Sequence, residues 1–202
     1  MQIATYGGRV HPLRRASAFG LVALHLVIDP LALPAVSLAN MFSSEQLDVL
    51  VDSIPAAQDP TDHVVFIAEM PHAAELAYVA SMQAVRGQTP SKLYPLFGGA
   101  WAARFERRGE RGLRVTSELG FFSPQWQDRS PELPFQPGDE IELGELSARV
   151  LEVTADGRPR SVDFTFHESL ESERYVWLTW REDRLVPFHP PGNRERTVVA
   201  AR

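Results

Sequence analysis

Two residues with acid–base chemistry follow the most apolar short run of the chain. Val64–Ile67 is a run of four apolar residues, of which three are β-branched, and Glu69 and His72 come after it on either side of Pro71. A carboxylate and an imidazole held close together can exchange protons with a substrate. Capping of a following helix is the alternative, because helix N-termini attract carboxylates and polar side chains. The spacing indicates that Glu69 and His72 are candidate catalytic or ligand-binding residues.

No recognised catalytic motif accompanies this pair. The sequence lacks G-x-S-x-G, H-E-x-x-H and both glycine-rich phosphate-binding patterns. It also lacks cysteine, which excludes disulfides, thiolate nucleophiles and cysteine-ligated zinc. His167 and His189 are isolated and do not have the spacing of metal ligands. The sequence therefore predicts no metal and no cofactor, and it favours a non-catalytic role over an enzyme.

A helix–strand–helix unit over residues 43–100 is expected to position the candidate pair. Ser43 and Gln46 have the spacing of a capping box, and Pro55 ends the first helix. Four residues at i, i+3, i+4 and i+7 give this helix one apolar stripe: Leu47, Leu50, Val51 and Ile54. Val64–Ile67 is predicted to be a strand buried on both faces. A second helix is predicted from Pro71 to about Arg86, with Leu76, Val79, Ala80 and Met82 facing inward and Gly87 as its stop.

Residues 101–202 change to the period of two that is typical of strands. Turn signals punctuate them: Arg107–Gly112, Pro137-Gly138-Asp139, Gly144-Glu145, Asp156-Gly157 and Glu182-Asp183. Short strands at this spacing indicate an antiparallel β-rich barrel or sandwich. The predicted fold class is therefore α+β.

Four aromatic residues near the end of the chain offer a second possible binding surface: Tyr175, Trp177, Trp180 and Phe188. Aromatic side chains can line a groove for a small ligand. They also pack as cross-strand pairs in cores. Both interpretations stay open on the sequence alone.

Residues 16–42 form a long apolar run that follows Arg14 and Arg15. About 20 residues suffice to cross a bilayer. The apolar side chains favour insertion by about 5 kcal/mol in total, and Asp29 near the centre opposes it by about 3 kcal/mol. We therefore expect residues 1–42 to hold a marginal membrane helix that packs against other membrane helices. A cleaved secretory signal and a helix buried in a soluble core are the alternatives.

Several segments of the chain together resemble the C-terminal portion of an uncharacterised family of bacterial multi-pass membrane proteins. The matching stretches are Leu24–Val27, Asp29–Leu31, Val64–Ile67 with Pro71, Gly138–Leu143, Val150–Pro159, Phe164–Phe166 and the Trp177, Trp180, Pro187-Phe188 ending. The resemblance covers most of the chain from about residue 14. It implies a last membrane helix followed by an extracytoplasmic α+β domain, and it implies no activity. Glu69 and His72 stand where the family has Asn and Asp.

The net charge and the two arginines before the apolar run further restrict the function and the location that we expect. The 202 residues carry a net charge of −6, and nucleic-acid binding would call for basic stripes. Arg14 and Arg15 favour the cytoplasmic side for their end of the apolar run, which would place the rest on the periplasmic side. The sequence predicts a membrane-associated, non-catalytic accessory or interaction domain whose partners are the membrane, other membrane helices or a protein. A ligand-binding or hydrolase-like site at the end of Val64–Ile67 is the alternative.

Overall fold

The computed structural model of the chain describes residues 44–55, 63–70, 76–99, 101–122, 132–192 and 196–199. The chain divides into two units, residues 1–46 and 47–202, and nearly all described residues belong to the second. The predicted membrane helix within residues 16–42 lies outside the described residues. In the ranges that the structure describes, no helix has the length and apolar character needed to cross a membrane.

The described elements alternate between helices and strands at first and are then all strands. In chain order they are α1 (Ser44–Ser53), β1 (Val64–Ile67), α2 (Leu76–Val85), β2 (Lys92–Pro95), β3 (Ala103–Arg107), β4 (Gly112–Thr116), β5 (Glu140–Glu142), β6 (Leu146–Val153), β7 (Pro159–Phe166), β8 (Tyr175–Arg181), β9 (Arg184–Pro187) and β10 (Arg196–Val199). The predicted helix–strand–helix order and the predicted α+β class are confirmed.

The strands form two open sheets. The smaller sheet has the order β2-β1-β8-β9, with β1 parallel to both neighbours and β9 antiparallel to β8. The larger sheet has the order β10-β3-β4-β7-β6-β5 and is antiparallel throughout. The barrel that the sequence allowed is wrong, because within the described part of the chain neither sheet closes on itself. Strands β8 and β9, which the sequence placed with the C-terminal strands, join the sheet of β1.

The smaller sheet is the middle of three layers. Val65 and Ile67 share a core with apolar residues of α1 and α2. Val64 and Phe66, which alternate with them, share a second core with the larger sheet. Successive side chains of a strand point to opposite faces, so β1 is buried on both sides. The prediction of a doubly buried strand is confirmed.

Phe66 occupies the centre of the core between the two sheets. Its side chain is fully buried, and its ring centroid lies 4.9 Å from that of Phe166, 4.8 Å from that of Tyr175 and 4.9 Å from that of Trp177. Phe166 belongs to the larger sheet and the other two belong to β8. The rings of Phe166 and Tyr175 pack edge-to-face with Phe66, which adds to the free energy gained by burial alone. Phe66 therefore joins the two sheets.

The predicted turns at Asp156-Gly157 and Glu182-Asp183 are confirmed. Gly157 has φ +81°, a conformation that glycine adopts without steric cost. Glu182 and Asp183 have φ values of 48° and 60°, which identifies the two-residue turn between β8 and β9 as type I′. This turn type matches the twist of the flanking strands and fixes the register in which Arg181 faces Arg184.

The outer face of the larger sheet carries a row of alternating charges. Five charged residues stand in register across the five strands from β3 to β5: Glu106, Arg114, Asp163, Arg149 and Glu140. Opposite charges on facing positions favour the pairing, whereas like charges oppose it. The row therefore disfavours shifted registers that would place like charges side by side.

Replacing the Phe66 ring should weaken both layers that it joins. We expect Phe66→Ala to lower the free energy of unfolding by about 3 to 5 kcal/mol, because burial and ring contacts are lost and a cavity remains. Urea denaturation measures this. Leu133→Ala is the control, since Leu133 is 72% exposed and should change stability by less than about 0.5 kcal/mol. Similar effects for the two variants would contradict the central role of Phe66.

Candidate functional site

Glu69 lies where the sequence predicted a site, just beyond the carboxyl end of β1. Hydrogen bonds of the sheet type continue past the strand, from Ala68 N to Leu178 O (2.8 Å) and from Trp180 N to Glu69 O (3.0 Å). On the other side, Met70 N donates to Phe97 O (3.0 Å). These bonds hold the Glu69 backbone between the ends of β2 and β8. The second candidate, His72, lies outside the described residues.

The Glu69 side chain forms an ion pair with Arg181, the last residue of β8. Arg181 Nη1 donates hydrogen bonds to Glu69 Oε2 at 3.3 Å and to Trp180 O at 2.6 Å. The Glu69 side chain is 2% exposed and the Arg181 side chain is 35% exposed. The part-exposed Arg181 side chain is therefore bonded to a buried carboxylate.

The pair lies at the carboxyl ends of two parallel neighbours of the smaller sheet, β1 and β8. From β1 the chain passes through α2 to β2 on one side, and from β8 it turns to β9 on the other side. Because β1 and β8 are parallel neighbours, their carboxyl ends lie side by side with connections that diverge. Ligands of open α/β sheets bind in the crevice that such diverging connections leave.

Burial raises the pKa of the Glu69 carboxyl above its ordinary value. The hydrogen bond and the positive charge of Arg181 lower this pKa and offset only part of the rise. Desolvation of a carboxylate without full compensation favours its neutral form. Glu69 is therefore a carboxyl group whose proton affinity depends on its only charged partner among the described residues.

No protein-family model matches the chain, and no curated protein or solved structure matches it either. The argument for function therefore starts from the Glu69–Arg181 pair. A part-exposed guanidinium can bind an oxyanion through planar hydrogen bonds. A buried carboxyl can hold that guanidinium in position and can take up a proton when the local charge changes.

Sequence reasoning singled out Glu69 as a candidate and did not single out Arg181. The two residues are 112 positions apart, and no motif spans them. The only local signal was the position of Arg181 at the end of a predicted strand before Glu182-Asp183. Finding the pair required knowing that β8 lies beside β1.

The other sequence candidates lie elsewhere. Tyr175, Trp177 and Phe188 are buried in the core between the sheets, and Trp180 packs against the helix-side core. Trp177 Nε1 donates to Leu170 O at 2.9 Å, so its polar group is satisfied inside the protein. The aromatic residues therefore serve packing. Over the described ranges, no group of three or more His, Asp or Glu side chains is arranged to hold a metal ion.

Replacing Glu69 by its neutral isostere should change how stability depends on pH. A carboxyl with a raised folded-state pKa contributes stability that is present below its unfolded pKa, near 4.5, and is lost as pH rises through the folded-state pKa. We expect the free energy of unfolding of Glu69→Gln, minus that of the wild type, to increase as pH rises above 4.5. Urea denaturation at a series of pH values measures this difference.

Glu171→Gln is a control of opposite sign. The Arg107 guanidinium, together with the Ser169 hydroxyl, lowers the pKa of Glu171 to about 2. The wild type should therefore gain stability over Glu171→Gln as pH rises from about 2 to 4.5. A Glu69→Gln difference that stays constant or decreases above pH 4.5 would contradict a raised Glu69 pKa.

Proposed function

We propose that this chain is a non-catalytic domain that binds a small anionic ligand in the crevice at the carboxyl ends of β1 and β8. Arg181 is the ligand-binding side chain, and Glu69 is the positioning residue behind it. The observation that carries the proposal is an Arg181 side chain that is 35% exposed and whose Nη1 is bonded to the carboxylate of Glu69, a side chain that is 2% exposed.

The hydrogen bonds of Arg181 favour a role in binding. Within the described residues, both of its protein bonds come from Nη1. A guanidinium has five N–H donors, so Nε and Nη2 retain donors for a ligand. Because the inner end is held, less side-chain entropy is lost when a ligand binds to the outer edge.

The hydrolase-like alternative receives less support. That alternative pairs Glu69 with His72 for proton transfer, and His72 lies outside the described residues. The described partner of Glu69 is Arg181, whose guanidinium stays charged throughout the physiological pH range. A binding role requires only the charged guanidinium of Arg181 and the Glu69 carboxyl that holds it in position.

Anion-dependent stabilisation tests the proposal. Sodium acetate or sodium sulfate, compared with sodium chloride at equal ionic strength, should raise the melting temperature of the wild type with saturation. At ten times the dissociation constant, the stabilisation is about 1.4 kcal/mol, or roughly 3 to 6 °C for a chain of this size. We expect Arg181→Gln to remove this shift.

Arg184→Gln is the matched control for net charge. Arg184 faces Arg181 across the β8–β9 pair and is exposed, so its loss changes the local charge equally and leaves the Glu69–Arg181 pair intact. This variant should keep the anion-dependent shift. A shift that is lost equally in both variants, or retained in Arg181→Gln, would overturn the proposal.

We also propose that the domain is held at a membrane by residues 16–42 with the β-rich part on the periplasmic side. The apolar run, its preceding arginines and the resemblance to multi-pass membrane proteins support this. Asp29 makes membrane insertion of residues 16–42 marginal. One further charged residue in this run should therefore prevent insertion.

Fractionation of cells tests the membrane proposal. We expect the wild-type chain in the membrane fraction and Leu26→Asp mostly in the soluble fraction, because a second buried carboxylate costs about 3 kcal/mol. Leu133→Asp, on the exposed surface of the described unit, should stay with the membranes. Wild-type chain wholly in the soluble fraction would refute membrane attachment.

A further inference from the structure

We infer that the ligand is a carboxylate bound side-on by the Nε–Nη2 edge of Arg181, and that its binding is coupled to the uptake of one proton by Glu69. This inference rests on the proposed binding function of the same crevice. It adds the chemical class of the ligand and the way in which pH controls its affinity.

The chain itself shows the geometry that a carboxylate would adopt on Arg181. On the larger sheet, Arg114 Nε lies 2.7 Å from Asp163 Oδ1, and Arg114 Nη2 lies 2.8 Å from Asp163 Oδ2. Two parallel bonds of this kind match a planar carboxylate to the same edge of the guanidinium. In Arg181 the described bonds use Nη1 and leave that edge for a ligand. A carboxylate bound in this way is coplanar with the guanidinium, whereas a tetrahedral oxyanion that forms the same two bonds places its other two oxygens outside that plane.

A bound carboxylate would place two negative groups on one cation. Glu69 and the ligand would share the Arg181 guanidinium, so the pair would carry a net charge of −1 instead of zero. A like charge nearby favours the neutral form of a carboxyl. Water cannot compensate the negative charge of Glu69, because the Glu69 side chain is 2% exposed.

The surroundings of Glu69 offer no other described charge to absorb this change. Arg181 on β8 is the one charged side chain that acts on Glu69 among the described residues. On the other side, the residues that follow β2 and bond to the backbone around Glu69 are Leu96 and Phe97, which are apolar and buried. Within the described part of the chain, the response left is protonation: one proton from solvent binds the Glu69 carboxylate and yields a neutral carboxyl that still contacts Arg181. Burial already raises the pKa of Glu69, which is the direction in which a bound anion would also change it.

Proton uptake on binding makes affinity depend on pH. If one proton is taken up for each ligand bound, the affinity falls by up to tenfold for each unit of rising pH. Linkage is reciprocal, so the ligand raises the proton affinity of Glu69 by the same factor. A ligand would therefore be held at lower pH and released at higher pH.

Titration of the full-length protein with sodium acetate, followed through the Arg181 Nε–H signal in NMR spectra, tests both parts. Acetate stays ionised between pH 6 and 8.5, so any pH dependence belongs to the protein. We expect the acetate affinity of the wild type to fall by up to tenfold per pH unit, and that of Glu69→Gln to be constant. Sodium sulfate, which is also fully ionised, should bind at least about tenfold more weakly than acetate at each pH.

Arg181→Lys keeps the charge and removes the planar fork, so it should weaken acetate binding by at least about tenfold. Arg184→Lys is the matched control and should bind as the wild type does. Acetate binding that needs Arg181 but does not depend on pH would overturn the proton coupling and leave the binding function standing. Equal affinities for sulfate and acetate would overturn the carboxylate class. The absence of any Arg181-dependent binding would overturn the proposed function itself.

Discussion

Burial of β1 on both faces is the constraint on which the rest of this fold depends. Val64 and Phe66 need an apolar layer on one side, and Val65 and Ile67 need another on the opposite side. The two helices supply one layer and the six-stranded sheet supplies the other. A strand with two buried faces must also satisfy its backbone on both edges, and it does so through β2 and β8. The three-layer arrangement follows from this one strand.

The same constraint produces the candidate site. Since β8 is parallel to β1 and in register with it, the residue that ends β8 comes beside the residues that follow β1. Sheet hydrogen bonds continue to Glu69 and fix its backbone, so the carboxylate is buried before any ligand is considered. Arg181 then partly compensates a desolvated charge. An ion pair with a buried carboxylate is weak evidence for stability.

The larger sheet stabilises the framework of the fold and contributes no side chain to the Glu69–Arg181 pair. Its inner face supplies most of the core around Phe66, and its outer face carries the row of alternating charges. Opposite charges in register specify one pairing, because a shifted strand would bring like charges together. The type I′ turn at Glu182-Asp183 sets the register of β9 against β8. Together these features hold Arg181 on a fixed framework, which would lower the entropic cost of the proposed binding.

The sequence by itself determined the elements that depend on local patterns. The doubly buried run Val64–Ile67, the apolar stripe of α1, the stop at Gly87 and the turn signals all lie within a few residues of the features that they predict. The position of Glu69 beyond a strand end belongs to the same class. Only the tertiary structure decided that β8 and β9 pair with β1 instead of with the other C-terminal strands, and with this it brought Arg181 to Glu69. Pairing between strands more than 100 residues apart is decided by which faces can be buried together, and a local period of two in the sequence is the same for either partner.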